Sequence, residues 1–187
     1  MVAISETLAR MRAGDVTAAA ELFPLLYGEL RALADAYFRG GNPGHTLQPT
    51  ALVHEAFIRL MSASELAIRD RAHFLALAAK VMRDLLINHA RDRQAQKRGG
   101  GDWRRITLDA ALDELEANAL DVLVLDETLS RLAVLSERQA RIVELRVFGG
   151  MTIEEVAEAL NVGPTTVKSD WLVAKTWLKR ELARRKA

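Results

Sequence analysis

The 187-residue chain contains no cysteine. Disulfides and cysteine-ligated zinc or iron–sulfur centres are therefore excluded, and a thiol-free composition fits a reducing cytoplasm. Aromatic residues make up only 5%, which argues against a β-sandwich or barrel. No apolar run approaches the ~20 residues that a membrane span needs, so no membrane insertion is expected. The first twelve residues place Glu6, Arg10 and Arg12 within their apolar pattern, so a secretory signal is not expected either. An excess of one charge is also missing: 26 basic side chains face 25 acidic ones, net +1.

What the chain has in quantity is helix-forming residues. It holds 30 Ala and 28 Leu against 13 Val and 7 Ile. Ala and Leu head the helix-propensity ranking, and the expected fold class is all-α. The charge is not evenly spread. Residues 1–68 carry net −2, residues 69–105 net +6, residues 106–137 net −7, and residues 138–187 net +4. Two basic blocks flank an acidic one, the pattern of two polyanion-binding surfaces joined by a segment that avoids polyanions.

Punctuation and periodicity divide the chain further. Asp15 precedes an apolar series, Leu22, Leu25, Leu26, Leu30 and Leu33, and predicts a capped helix to about Phe38. Pro49 suits a first helical turn, with Leu52, Val53, Phe57 and Leu60 on one face behind it. A long helix is predicted from Arg69 to about Gln96, with Phe74, Ala78, Val81 and Leu85 on its apolar stripe and Leu75, Met82 and Leu86 widening it. Gly99, Gly100 and Gly101 end it, and residues 99–121 read as a flexible acidic linker with at most weak helix between Leu108 and Leu115. Beyond it, Leu123–Leu135 is a short amphipathic helix. Ser136 and Gln139 have capping-box spacing and open a helix closed by Gly149 and Gly150; Thr152 and Glu155 repeat that spacing before Ile153–Leu160. A last helix is expected from about Thr165 to Ala183. The division is thus 1–98, 99–121 and 122–187: two small helical domains and a tether.

The strongest local signal lies in the last third. Two helices about four residues apart must cross tightly, and Ala157 supplies a small residue there. Asn161 and Gly163 tolerate positive φ in the turn. Ile153, Val156, Leu160, Val162 and Val167 are spaced to bury the crossing. This is a helix-turn-helix, which offers its second helix to the DNA major groove. Val167, Trp171, Ala174, Leu178 and Leu182 form that helix's buried stripe, while Lys168, Lys175 and Lys179 fall on another face. Thr165, Thr166 and Ser169 stand at its N-terminal end, where side chains reach base edges; the lysines can meet phosphate. In the long helix, His73, Lys80, Arg83, Arg91 and Arg98 share an arc of about 80° at ~100° per residue, with Arg93 and Lys97 just off it. Asn88 and His89 add groups that can bond to bases. An ordinary solvated charged face is the plainer reading of either helix alone.

Several stretches together resemble bacterial RNA polymerase sigma factors of the small two-domain extracytoplasmic-function group. Leu135-Ser-Glu-Arg-Gln-Ala-Arg-Ile-Val-Glu-Leu-Arg-Val-Phe-Gly149, Thr152-Ile-Glu-Glu-Val-Ala-Glu-Ala-Leu160, Val167-Lys-Ser169 and Ala174-Lys-Thr-Trp-Leu178 are similar to that group's fourth conserved region. Leu52-Val-His-Glu-Ala-Phe-Ile-Arg-Leu60 resembles the polymerase-binding part of region two. Met82-Arg-Asp-Leu-Leu-Ile-Asn-His-Ala-Arg91 and Lys97-Arg-Gly-Gly-Gly101 resemble its promoter-melting and minus-ten part. The resemblance implies an alternative sigma factor that directs core RNA polymerase to promoter DNA and melts it. His54, Glu55 and Arg59 would dock on polymerase. Lys80, Arg83, Asn88, His89, Arg91 and Arg93 would contact the minus-ten element. Thr165, Thr166, Lys168, Ser169 and Lys175 would read the minus-thirty-five element. An anti-sigma or other regulatory protein is the further partner implied, and no cofactor is. The acidic tether, with Asp113, Glu114 and Glu116, would run through a basic polymerase channel.

Some positions depart from the group. Gln48, Pro49, Thr50 and Ala51 stand where many members carry acidic residues, and Asp170 and Val173 where many carry arginine. The melting segment has Phe74 but no tryptophan, so a flipped base would rest on a pocket and polar contacts rather than a stacking platform.

Signals for catalysis fail one by one. His54-Glu55 opens like a zincin motif, but Ile58 stands where the second ligand belongs. The glycines at 99–101 have no Gly-Lys-Ser/Thr behind them, no Gly-x-Ser-x-Gly elbow occurs, and His45, His54, His73 and His89 are scattered. The chain is read as no enzyme. Two other classes compete with the sigma reading: a helix-turn-helix regulator that binds duplex DNA without polymerase, and a helical adaptor that binds only protein.

Overall fold

The structure, a computed structural model, describes residues 3–38, 48–62, 68–96, 105–106 and 120–185. Its elements are α1 (Ala3–Arg12), α2 (Val16–Tyr37), α3 (Pro49–Ser62), α4 (Arg71–Gln96), β1 (Arg105–Ile106), β2 (Leu120–Asp121), α5 (Val122–Leu135), α6 (Glu137–Val147), α7 (Ile153–Leu160) and α8 (Pro164–Arg184). The fold is all-α apart from one antiparallel pairing of two residues with two, Arg105 opposite Asp121 and Ile106 opposite Leu120. Those four residues lie inside the segment read as a flexible acidic linker, and their ladder pairs two of its residues with its last two. The rest of that segment, with the suggested weak helix and Asp113, Glu114 and Glu116, lies outside the described residues.

The helix starts follow from their caps. The Asp15 carboxylate accepts from the Thr17 amide at 2.9 Å, after Gly14 turns the chain at φ +91°. Arg10 donates to Asp15 at 2.7 Å and to Glu21 at 2.6 Å, tying α1 to the first turns of α2. The Thr17 hydroxyl and then Arg10 hold the Asp15 carboxyl down, at about 2. Pro24 sits inside α2 and removes the donor for the Ala20 carbonyl. Both residues are exposed, so water can serve that carbonyl and the helix continues. Pro49 begins α3, as its fixed φ favours.

Consecutive helices α1 to α4 pack as neighbours, as do α5 to α8, and α4 meets α5, α6 and α7 as well. One apolar core therefore runs from Leu8, Leu26, Leu30 and Leu52 through Phe74, Leu75 and Met82 to Leu125, Ile142 and Phe148. The periodicity reading gives α4 an apolar stripe widened by Leu75, Met82 and Leu86, and these three are buried. Ala72, Ala76, Ala79, Ile87 and Ala90 are buried as well, because α3 covers one side of α4 and α5 to α7 another. Small alanines let neighbours approach on both.

The junction of these halves is closely fitted. The buried Tyr37 hydroxyl donates to the Phe148 carbonyl, and the two rings meet edge-on at 6.3 Å. Burial raises the Tyr37 pKa, keeping the phenol a donor. At Gly149 a Cβ would lie 3.2 Å from that of Ala79, and at Gly150, with φ +58°, 2.9 Å from Leu33. The turn after α6 thus needs glycine both for its backbone and for the approach to α2 and α4.

Candidate nucleic-acid interface

The α7–α8 pair is built by its ends. The Thr152 hydroxyl accepts from the Glu155 amide at 3.2 Å and the Glu155 carboxylate accepts from the Thr152 amide at 2.8 Å, a complete capping box. Ser136 and Gln139 complete only half of theirs. Ser136 accepts from the Gln139 amide at 3.3 Å, but the Gln139 side chain turns to Asp170 at 3.3 Å. In the turn after α7, Asn161 takes the left-handed conformation at φ 53°, and the Val162 amide closes on the Ala157 carbonyl at 3.0 Å. Gly163 does not share that role. Its φ is −71° and it is the N-cap of α8, with Pro164 opening the helix. Proline at that position favours extended backbone in the residue before it, so no positive φ is needed there.

Val156, Ala157 and Val167 are buried at the crossing, whereas Ile153, Leu160 and Val162 are only partly covered. The stripe Val167, Ala174, Leu178 and Leu182 is buried. Trp171 packs beside it with the Arg146 guanidinium 5.4 Å over its ring, and Arg146 also donates to the Met151 carbonyl at 2.5 Å. The buried Asp170 carboxylate accepts from Arg138 at 2.6 Å. It faces α6, so its charge is met by a cation from that helix. Thr165, Thr166, Lys168 and Ser169 stand exposed on the other side, and Lys175 is half-buried.

Leu172 and Val173 continue that outer face, 61% and 52% exposed. From sequence, Leu172 has no role and Val173 is marked only as a departure from arginine. Their spacing from Ser169, three and four residues, was the signal available.

On α4 the basic arc divides. Lys80 and Asn88 are exposed and His89 is half-buried. Arg83 is turned inward. It donates to Asp126 of α5 at 2.7 and 3.2 Å and to Glu144 of α6 at 3.1 Å. Burial works against its charge, but the two carboxylates outweigh that and its pKa stands above the ordinary value. Arg91 is exposed and also reaches Asp126, at 3.3 Å. Carboxylates from α5 and α6 thus meet two arginines of the arc. The side chains of Arg93, Lys97 and Arg98 lie outside the described residues. Phe74 is fully buried in the core, so it offers no face for a base to stack on.

A third surface lies on α2 and α3. His54, Glu55 and Arg59 are exposed on α3, with Arg59 donating to Glu55 at 2.8 Å. The Tyr27 ring lies 5.7 Å from that of His54. Ile58 and Phe23, 63% and 47% exposed, extend this face with apolar area that the sequence reading did not mark. Among the described residues no cluster of His, Asp and Glu could hold a metal ion, and no helix is long and apolar enough to cross a membrane.

These features define an all-helical protein with two helices joined by a tight turn and a second, partly engaged basic helix. The chain matches the family model for ECF sigma factors over residues 1–184 and belongs to that family. Membership makes it a factor of transcription initiation that works with RNA polymerase and promoter DNA. No curated protein matches the chain individually.

Proposed function

We propose that this chain is an alternative sigma factor with three working surfaces. His54, Glu55 and Arg59 on α3, with Ile58 between them, dock on core polymerase. Lys80, Arg83, Asn88, His89, Arg91 and Arg93 on α4 meet the minus-ten element and its melted strand. Thr165, Thr166, Lys168, Ser169 and Lys175 on α8 read the minus-thirty-five element. Residues 1–98 and 122–187 act as two modules and 99–121 as the tether between them. The setting is the cytoplasm, where polymerase and chromosome are, and an anti-sigma protein is the expected regulator.

The observation that carries this reading is the outer face of α8. A capping box on α7, a left-handed Asn161 after it and a buried Val167 fix the start of α8, and its first turns present two threonines, a lysine and a serine to solvent. Short hydroxyl side chains near a helix N-terminus can reach base edges, and a lysine among them neutralises phosphate. Either module alone makes few contacts. Mounting both on polymerase raises the effective concentration of each at its element.

The test is run-off transcription with core polymerase and promoter-containing DNA, together with co-purification. Promoter-specific transcripts and a stable polymerase complex support the proposal. Tight duplex binding by the free chain with no polymerase association transfers it to a conventional regulator, and no effect on DNA in either assay leaves a protein-binding adaptor.

A further inference from the structure

We infer that α8 selects its DNA element through thymine methyl groups, with Leu172 and Val173 as the residues that choose the sequence. The inference rests on the role proposed above for α8 and names the base edges which that helix takes. At 3.6 residues per turn the surface of α8 divides into three arcs. Val167, Ala174, Leu178 and Leu182 fill the buried one. Lys168, Lys175 and Lys179 stand together on one flank of it. Thr165, Ser169, Leu172, Val173 and Thr176 share the outward arc, about 100° wide, and all five are exposed. Leu172 and Val173 form its two edges, and among the described residues they are the exposed large apolar side chains of α7 and α8.

The rotation of α8 about its axis is fixed at two levels. Asp170 accepts from Arg138 at 2.6 Å and from Gln139 at 3.3 Å, both on α6. Glu181 accepts from Arg131 of α5. Asp170 and Glu181 are the two acids of the helix, and both are buried. No carboxylate of α8 therefore repels phosphate from the outward arc, and the lysine flank suits a backbone strand beside it.

Base edges in the major groove differ in the side chains that suit them. Guanine is most often taken by a bidentate arginine or lysine, adenine by asparagine or glutamine, and cytosine by a carboxylate. From Thr165 to Thr176 the outward arc contains none of these. Its next arginine, Arg180, stands 15 residues past Thr165, about 22 Å along the axis. Serine and threonine hydroxyls bond to several kinds of edge, so they position more than they choose. The Thr176 hydroxyl donates to the Leu172 carbonyl at 2.8 Å, so its proton is not offered to a base. Apolar contact remains, and the C5 methyl of thymine is the apolar group on these edges. Covering it with Leu172 or Val173 removes apolar surface of both partners from water. The element so read is rich in A·T pairs, with thymines opposite these two side chains.

The chain bound to core polymerase supplies the test. That complex is used to select from promoter duplexes with a randomised upstream element. The expected selection holds thymine, on either strand, at two or more positions. Replacing those thymines singly by deoxyuridine removes only the C5 methyl. Each replacement at a contacted position should weaken binding about fourfold, the effect of one buried methyl. Leu172→Ala and Val173→Ala should each bring one of these ratios close to one, and Val173→Ile should preserve it. Neither change touches the core, because both side chains lie in solvent. Val173→Arg should turn its position toward guanine. A selected element that depends on guanine and is indifferent to deoxyuridine overturns the inference. So does deoxyuridine sensitivity that survives both alanine variants, which would assign the preference to DNA shape. A chain that forms no polymerase complex and supports no run-off transcript is a different failure, that of the sigma reading itself.

Discussion

Helices α4 and α8 both combine an apolar stripe with basic side chains, yet their charges are used differently. α8 buries Val167, Ala174 and Leu178 on one side and leaves Thr165, Thr166, Lys168 and Ser169 in solvent on the other. α4 is covered by helices from both halves, and Arg83 and Arg91 point to a carboxylate on α5. The difference shows that a cation's place on a helical wheel does not make it available. Availability depends on whether an acid from a distant part of the chain reaches it, and here Asp126 is 43 residues away from Arg83.

The largest expected effect tests whether the halves are one folding unit. Phe148 is fully buried where α6 ends, between Tyr37 and the core of α4. Phe148→Ala should cost about 3–5 kcal/mol through lost burial and the cavity left behind. Calorimetry should show one transition moved down as a whole. A variant in which a first transition stays at the wild-type temperature would mean that α1–α4 stand without the contact.

Arg83→Ala and Lys168→Ala sharpen the contrast between the two helices. Removing Arg83 leaves Asp126 and Glu144 short of a partner in a half-buried site, a loss of about 1–3 kcal/mol in stability. Free-chain DNA affinity should not fall with it, because that arginine is already engaged. Lys168→Ala should leave stability nearly unchanged. It should weaken DNA binding about fivefold across sequences and flatten the log–log salt dependence by about 1. Urea melts and DNA titrations on both variants decide the matter; equal losses of affinity would erase the distinction.

The same contrast explains what the chain's letters reveal. The boundaries of α7 and α8 are legible because each is signed locally, by Thr152 with Glu155, by Asn161 and by Pro164. Asp15 and Pro49 sign α2 and α3 equally well. What periodicity missed in α4 is two-sided burial: alanine fits both a crowded face and an open one, so Ala76 and Ala79 carry no signal. The half-made cap at Ser136 escaped for a similar reason. Gln139 has a second suitor in Asp170, 31 residues on, which a four-residue motif does not contain. The outer face of α8 was legible in its polar residues and not in Leu172 and Val173, since exposed apolar side chains look like core.

Local signing can itself be measured. Thr152→Ala removes one half of the α7 capping box and should cost about 1 kcal/mol. A thermal melt reads this loss, and the ion pair between α4 and α7 should amplify it, because Glu155 serves both the cap and Arg71. In an Arg71→Ala background the cost of Thr152→Ala should therefore change. Strict additivity of the two substitutions would show that cap and ion pair are independent.

The smallest effect compares two arginine–aspartate pairs in different settings. Arg83 with Asp126 is largely covered, whereas Arg10 with Asp15 lies in solvent between α1 and α2. The Asp15 carboxyl is held below its ordinary value, at about 2, first by the Thr17 hydroxyl and then by Arg10. A carboxyl that is more acidic in the folded state adds stability above its unfolded pKa, and that stability is lost as pH falls through the folded value. The contribution of Asp15 should thus be complete above about pH 5 and fade between about 4 and 2. Asp15→Asn keeps a capping side chain but cannot titrate. Its stability should run slightly below wild type at neutral pH and converge with it toward pH 2. Added salt should shrink the gap, because an exposed pair is screened by ions. A gap that persists undiminished at pH 2 and in high salt would assign the effect to cap geometry instead of charge.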